Sequence, residues 1–123
     1  MLQAGNVVIR LMICLTCAAC EGTWRTPSRD AAQRQHGAML INQFGCGACH
    51  SIPGIPGADG NVGPSLTRIG SRPYVAGVLR NSPGNLARWI RNPQAIVPGN
   101  AMPDMHIGDA DARDIAAYLL SLN

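Results

Sequence analysis

The sequence predicts a small all-α, loop-rich domain of three to five helices. Ser82 and Pro83 have the order of a helix start, with a capping serine before a first-turn proline. Between the helical segments the chain is rich in glycine and proline, with 14 and 9 residues. Near the C-terminus apolar residues recur at the spacing of one helix face, namely at Ile115, Tyr118, Leu119 and Leu122.

Two helices precede that C-terminal segment. The first covers the stretch HGAMLINQF, in which we expect Met39 to be a core residue. The second begins at Pro83 and ends before the pair Asn92–Pro93, because the residue before a proline is disfavoured in helical conformation. Its buried face is predicted to consist of Leu86, Trp89 and Ile90.

The last helix is expected to have Asp109 as its N-cap and to run to about Leu122. Two stretches between the helices are predicted to be loops. Residues 51–64, SIPGIPGADGNVGP, leave no room for a strand. Residues 91–106, RNPQAIVPGNAMPDMH, are interrupted by prolines and Gly99, which exclude regular structure and stiffen the chain.

The composition leaves the predicted core short of large side chains. Aromatic residues make up 4 % of the chain and charged residues 14 %. A compact domain of this kind usually depends on a metal, a disulfide or a cofactor. The net charge is +3, and the basic residues are all arginines, scattered without a run of like sign. We therefore predict no nucleic-acid partner.

The N-terminus has the layout of an export signal. Residues 1–20 combine one arginine with the apolar run LMICLTCAA, which is too short to span a bilayer. Cys20 is a candidate for lipid acylation, and ordinary signal cleavage is the alternative. We assign 1–20 to a signal peptide, 21–33 to a linker and 34–123 to the folded domain, and we predict a periplasmic location.

The central motif is Cys46–Gly47–Ala48–Cys49–His50, with the C-x-x-C-H spacing of c-type haem attachment. Two thiols at this spacing match the two vinyl groups at the porphyrin edge, and the following histidine is directed under the iron. Gly47 and Ala48 are small, so we expect the backbone to approach the ring closely. A thioredoxin-like redox pair would need a strand–helix context, which the sequence does not predict. Zinc would need a second ligand pair at matching spacing.

The second axial ligand of such a haem has several candidates. Met102 stands between Ala101 and Pro103 in the stiff loop, and a thioether is a suitable ligand for ferrous iron. The candidates are Met39, Met102, Met105, His36 and His106.

These motifs, in this order, resemble the class I c-type cytochromes over residues 34–123. The matching segments are GCGACH, GPSL from Gly63, RNP at Arg91–Pro93, PGNAMP from Pro98 and ARDIAAYL from Ala112. The resemblance implies a small cytochrome c fold wrapped around one covalently bound haem c. It also implies that the first and last helices cross closely, with Gly37 and Ile41 meeting Tyr118.

The resemblance also implies roles for single residues. Met102 is the expected distal ligand, with Met105 as the alternative, and His50 is the proximal ligand. The carbonyl of Pro64 is expected to accept the imidazole N–H of His50. Arg72 would contact a haem propionate, with plain solvation as its alternative. Trp89 would press against the haem, with an ordinary core position as its alternative.

The function implied is one-electron transfer by a monohaem carrier that is not an enzyme. We expect a monomer that contacts redox protein partners and touches the membrane only through a lipid anchor at Cys20. The chain has no lysine, so a basic docking surface would depend on Arg68, Arg80, Arg88 and Arg91. Two alternatives stay open: a fixed haem subunit of a membrane oxidase or dehydrogenase, and a haem enzyme or sensor with a displaceable methionine.

Overall fold

The structure, a computed structural model, describes residues 26–123. The predicted signal peptide, Cys20 and the first part of the predicted linker lie outside the described residues.

The described chain contains four helices and little strand, which confirms the prediction of an all-α, loop-rich fold. The helices are α1 (Arg29–Gln43), α2 (Pro83–Arg91), α3 (Pro93–Ile96) and α4 (Asp109–Leu120). Short 3₁₀ turns lie at Cys46–Ala48 and Ile69–Ser71. Two short strands, β1 (Tyr74–Val75) and β2 (Leu79–Arg80), pair antiparallel. Their register places Tyr74 opposite Arg80.

Helix α1 starts earlier than its apolar pattern indicated. The hydroxyl of Ser28 accepts the N–H of Ala31 at 3.2 Å, so the helix begins at Arg29, and residues 29–33 of the predicted linker are helical. The core position predicted for Met39 is wrong, because this side chain is 57 % exposed. Leu40 and Ile41, the next two residues, occupy the buried face instead.

Helix α1 packs against α4 through a close approach at Gly37. A methyl group added there would overlap the backbone carbonyl of Asp114 and crowd the N–H of Ile115. The close crossing implied by the resemblance is therefore present, and at Gly37 it brings α1 against the α4 backbone. The hydroxyl of Tyr118 donates to the carbonyl of Pro53 at 2.7 Å and holds the loop after the C-x-x-C-H motif.

The bounds predicted for α2 are confirmed. Ser82 caps it by accepting the N–H of Asn85, Pro83 is its first residue, and it ends before Asn92. The cap predicted for α4 is wrong, because Gly108 is the N-cap and Asp109 is the first helical residue. The carboxylate of Asp109 instead pairs with arginines, Arg91 at 3.2 Å and Arg113 within the helix.

The proline-rich stretch contains one helical turn that the sequence did not predict. Asn92 accepts the N–H of Ala95, and the buried Pro93 takes the first position, where its missing N–H costs nothing. This turn, α3, ends at Ile96, and the chain is irregular from Val97 to Gly108. Proline therefore starts a helix here as well as ending one.

The core is built from small and medium aliphatic side chains on the inner faces of α1, α2 and α4. The largest fully buried side chains are Ile41, Leu86, Ile115 and Pro93.

Within residues 26–123, no helix combines the length and apolar character needed to cross a membrane.

Candidate functional site

The domain contains an apolar cavity of about 430 Å³, formed by α1, α2, α4 and the loops between the helices. Aliphatic side chains of α1, α2 and α4, such as Ile41, Ile90 and Leu119, form much of its lining. All seven predicted haem-site residues also line it, namely Cys46, Cys49, His50, Pro64, Arg72, Trp89 and Met102.

The C-x-x-C-H motif reaches this cavity through a tight turn. Gly45 adopts a left-handed conformation, with φ of 68°, which ends α1 and starts the 3₁₀ turn. The N–H groups of Cys49 and His50 both bond the carbonyl of Cys46, at 3.2 and 3.0 Å. This turn places Cys46, Cys49 and His50 on the same cavity.

Gly47, inside the motif, packs against the loop that follows the motif. Neither Gly47 nor Ala48 is part of the cavity lining. A methyl group on Gly47 would lie 2.7 Å from the Cα of Ala58. The carbonyl of Gly47 also accepts the N–H of Gly60 at 3.0 Å, which holds the following loop close to the motif.

The imidazole of His50 is oriented by the neighbouring segment. Its Nδ1 lies 2.8 Å from the carbonyl oxygen of Pro64, as the resemblance implied. Because a carbonyl oxygen only accepts, Nδ1 carries the proton and Nε2 keeps a free lone pair. Gly63 lies against the ring, and a methyl group there would overlap it.

Burial changes the acid–base character of one of the two thiols. Desolvation raises the pKa of the Cys46 thiol above its ordinary value, and the nearby Cys49 contributes in the same direction to a smaller extent. A hydrogen bond to its own backbone acts in the opposite sense. An unreacted Cys46 sulfur is therefore held as the neutral thiol at pH 7.

Met102 and Met105 both line the cavity, whereas the other candidate ligands do not. His36 is bound to Asp114, with Nδ1 2.8 Å from a carboxylate oxygen. The side chain of His106 is 89 % exposed, and Met39 is on the outer face of α1. Of the five candidate ligands, Met102 and Met105 are therefore the two that line the cavity.

The backbone of Met102 is fixed by two amide side chains. Its N–H donates to Oδ1 of Asn100 at 2.8 Å, and its carbonyl accepts from Nε2 of Gln94 at 2.8 Å. The sequence did not single out either residue, because these contacts depend on the fold of the loop.

Arg72 and Trp89 are both at the cavity, in different settings. One guanidinium nitrogen of Arg72 donates to the carbonyls of Ser65 and Thr67, at 2.5 and 3.1 Å. Arg72 is therefore anchored to the backbone rather than simply solvated. Trp89 is half-buried on α2, packed against the core.

Zinc has no ligand set in the part of the chain that the structure describes. Among residues 26–123, no group of three or more His, Cys, Asp or Glu is placed to hold a metal ion.

The sequence profile of the family described as Cytochrome c matches residues 35–123, which include the whole cavity lining. The chain belongs to the cytochrome c family. Its cofactor is therefore haem c, bound covalently, and membership of this family indicates a role in electron transfer. The residues at the cavity fit this group, because two thiols, an imidazole with a free nitrogen and a thioether line one apolar space.

Curated relatives of this cytochrome c domain are named cytochrome c oxidase subunit 2. The protein from Alkalihalophilus pseudofirmus is 39 % identical over 89 residues, covering 70 % of this chain and 25 % of the relative. Those from Bacillus sp. strain PS3 and Bacillus subtilis are 29 % and 30 % identical, covering 72 % and 79 % of this chain and 26 % and 28 % of the relatives.

The chain thus spans about a quarter of the length of these relatives. Among solved structures, none matches the chain significantly. The cytochrome c family and these relatives together indicate an exported or membrane-associated protein.

Proposed function

We propose that Cys46 and Cys49 attach haem c, that His50 and Met102 are its axial ligands, and that the domain passes single electrons between redox proteins. The observation that carries this proposal is the shared cavity: these four side chains line one apolar space of about 430 Å³. When bound, haem c supplies an iron centre that takes up or releases one electron.

The C-x-x-C-H turn provides attachment and the proximal ligand together. Hydrogen bonds to the Cys46 carbonyl hold Cys49 and His50 in place. The Pro64 carbonyl accepts the Nδ1 proton of His50 over 2.8 Å, so the ring is fixed and Nε2 is the better donor.

Met102 is favoured over Met105 as the residue that would supply the thioether ligand, because of how its backbone is held. Hydrogen bonds from Gln94 and to Asn100 fix both of its peptide groups. A thioether ligand stabilises the ferrous form and raises the reduction potential relative to a second histidine. Haem held by both His50 and Met102 would leave no iron position open to a substrate, which favours an electron carrier over a haem enzyme or sensor.

Arg72 and Trp89 complete the proposed site. Arg72 uses one nitrogen to hold the Ser65 and Thr67 carbonyls, and its other N–H groups are available to a haem propionate. Trp89, beside Leu86 and Ile90 on the cavity, adds apolar surface that excludes water. Excluding water destabilises the additional positive charge of ferric iron, so it would raise the reduction potential, as the sulfur ligand does.

The cellular setting has two candidate forms. The first is a periplasmic carrier that shuttles between a donor and an acceptor as a monomer, through small transient contacts. The second is a haem domain fixed in a membrane oxidase, which the three relatives named oxidase subunit 2 favour. The mass of the mature N-terminus separates a Cys20 anchored by lipid from a freely diffusing chain, and copurification with oxidase subunits supports the fixed form.

The ligand assignment is tested by two single substitutions in the haem-loaded protein. Met102→Ala should keep the haem attached, abolish the sulfur–iron charge-transfer band at the red end of the visible spectrum, lower the reduction potential and allow carbon monoxide to bind. Met105→Ala is the matched control, since it removes a thioether from the same cavity. If Met105→Ala gives these changes and Met102→Ala does not, the assignment of Met102 is wrong.

A further inference from the structure

Gln94 has an unusual position for a residue in a single helical turn. It is the second residue of α3, part-buried, and its side-chain amide reaches across to the following loop. Nε2 donates to the carbonyl of Asn100 at 3.0 Å and to the carbonyl of Met102 at 2.8 Å. Oε1 accepts the N–H of Gly99 at 2.9 Å. One amide therefore uses both donors and an acceptor on three residues of one loop.

The other hydrogen bonds of residues 97–102 join residues at most four apart. The side chain of Asn100 makes two such bonds. Its Nδ2 donates to the Val97 carbonyl at 2.7 Å, and its Oδ1 accepts the N–H of Met102. The backbone of Gly99, within the turn, is in the left-handed conformation, with φ of 79°. Gln94 is the side chain that connects this turn to α3, and α3 is anchored by the buried Pro93.

We propose that Gln94 is a positioning residue that holds the Met102 loop closed and thereby sets how readily the distal ligand is displaced. The inference rests on the proposed function, because it takes Met102 as the ligand. For an external ligand to enter, the loop carrying Met102 must open, and opening breaks the three hydrogen bonds of the Gln94 amide. Each such bond contributes about a fivefold change in an equilibrium constant.

The test measures imidazole binding to the ferric, haem-loaded protein, followed by loss of the sulfur–iron band. Gln94→Ala removes all three hydrogen bonds, and the apparent affinity for imidazole should rise by about tenfold to hundredfold. Gln94→Glu keeps the size and the acceptor but sets a carboxylate against two carbonyl oxygens, so it should raise the affinity at least as much. An effect of volume alone would leave Gln94→Glu like the unmodified protein.

Gln33→Ala is the matched control. Gln33 is also a glutamine whose Nε2 makes a long-range hydrogen bond, to Asp114 at 2.8 Å, but it lies at the α1–α4 crossing. It should change thermal stability without changing imidazole affinity. If Gln94→Ala and Gln33→Ala have similar thermal stability but only Gln94→Ala binds imidazole more tightly, Gln94 acts on the Met102 loop and not on folding in general.

The outcomes separate this inference from the proposal on which it rests. If Met102→Ala loses the sulfur–iron band while both Gln94 variants bind imidazole within twofold of the unmodified protein, Met102 stands as the ligand and the role of Gln94 is refuted. If Met102→Ala retains the band, the ligand assignment and this inference both fail.

Discussion

The imidazole of His50 contacts two consecutive residues of one loop, because its Nδ1 is hydrogen-bonded to the Pro64 carbonyl at 2.8 Å and Gly63 lies against the ring. The same loop is tied back to the motif, because the N–H of Gly63 donates to the carbonyl of Cys49 at 2.8 Å. The sequence Gly63–Pro64 thus serves the histidine twice, by leaving room for the ring and by fixing its tautomer.

Gly63→Ala should disturb this arrangement. The added methyl group would overlap the His50 ring, so either the ring or the loop must shift, at a cost of about 1–3 kcal/mol in stability. We expect less haem incorporated per chain, measured by absorbance against protein concentration, and a lower thermal midpoint. Gly84→Ala is the control, since a methyl group there meets no atom within 4 Å. Unchanged haem content and stability in Gly63→Ala would show that the ring is not confined here.

Gly37→Ala tests the helix crossing. A methyl group at this position overlaps the carbonyl of Asp114, so α1 and α4 must move apart. We expect a loss of about 1–3 kcal/mol, or roughly 4–8 °C in the unfolding midpoint per kcal/mol for a domain of this size. The measurement is thermal unfolding followed by circular dichroism, with Ala38→Gly as a control for helix propensity on the same turn. A midpoint at or above that of the unmodified protein would contradict the close crossing.

The sequence predicted the helices best where local chemistry decides their ends. Ser82, Pro83 and Asn92 fix the bounds of α2 through contacts within four residues of chain, and these bounds were confirmed. Asp109 was predicted as the N-cap of α4 but is its first helical residue. Glycine and aspartate both occur at helix starts, so the pattern does not separate the cap from the first residue. Met39 was misplaced because it precedes Leu40 and Ile41, and a run of apolar residues does not show which face is buried.

The site was predictable to the extent that a motif places its residues. C-x-x-C-H and the order of the later segments identified residues that line a single cavity. The roles of Gln94 and Asn100 were not predictable, because polar side chains in a proline-rich loop carry no signal until the turn brings them to Met102. Gly47 likewise contacts Ala58 in the following loop, and no local sequence pattern predicts that contact.

Stability at low pH should depend on Asp114. The hydrogen bond from His36 holds the pKa of this carboxyl below its ordinary value, and the hydrogen bond from Gln33 lowers it further. Desolvation raises the pKa, but its effect is smaller than that of His36. A depressed pKa in the folded state means that the stabilisation is present above the unfolded-state pKa of about 3.9 and is lost as the pH falls through the folded-state value.

Asp114→Asn should therefore cost about 1 kcal/mol at pH 7, and the difference from the unmodified protein should shrink below about pH 4. Urea unfolding at a series of pH values measures this difference. Asp59→Asn removes the same charge from a loop and should show a much smaller effect. A cost for Asp114→Asn that stays constant from pH 7 to pH 3 would contradict a role for the ionised carboxylate.

The most direct test of the account is the intact mass of the protein produced in a host able to attach haem c. The unmodified chain should be coloured and heavier than its mature polypeptide by one haem, and a Cys46→Ser/Cys49→Ser variant should lack that mass and yield little stable protein. A colourless unmodified chain with the mass of the polypeptide alone, or a double variant that still carries covalent haem, would contradict attachment at these two thiols.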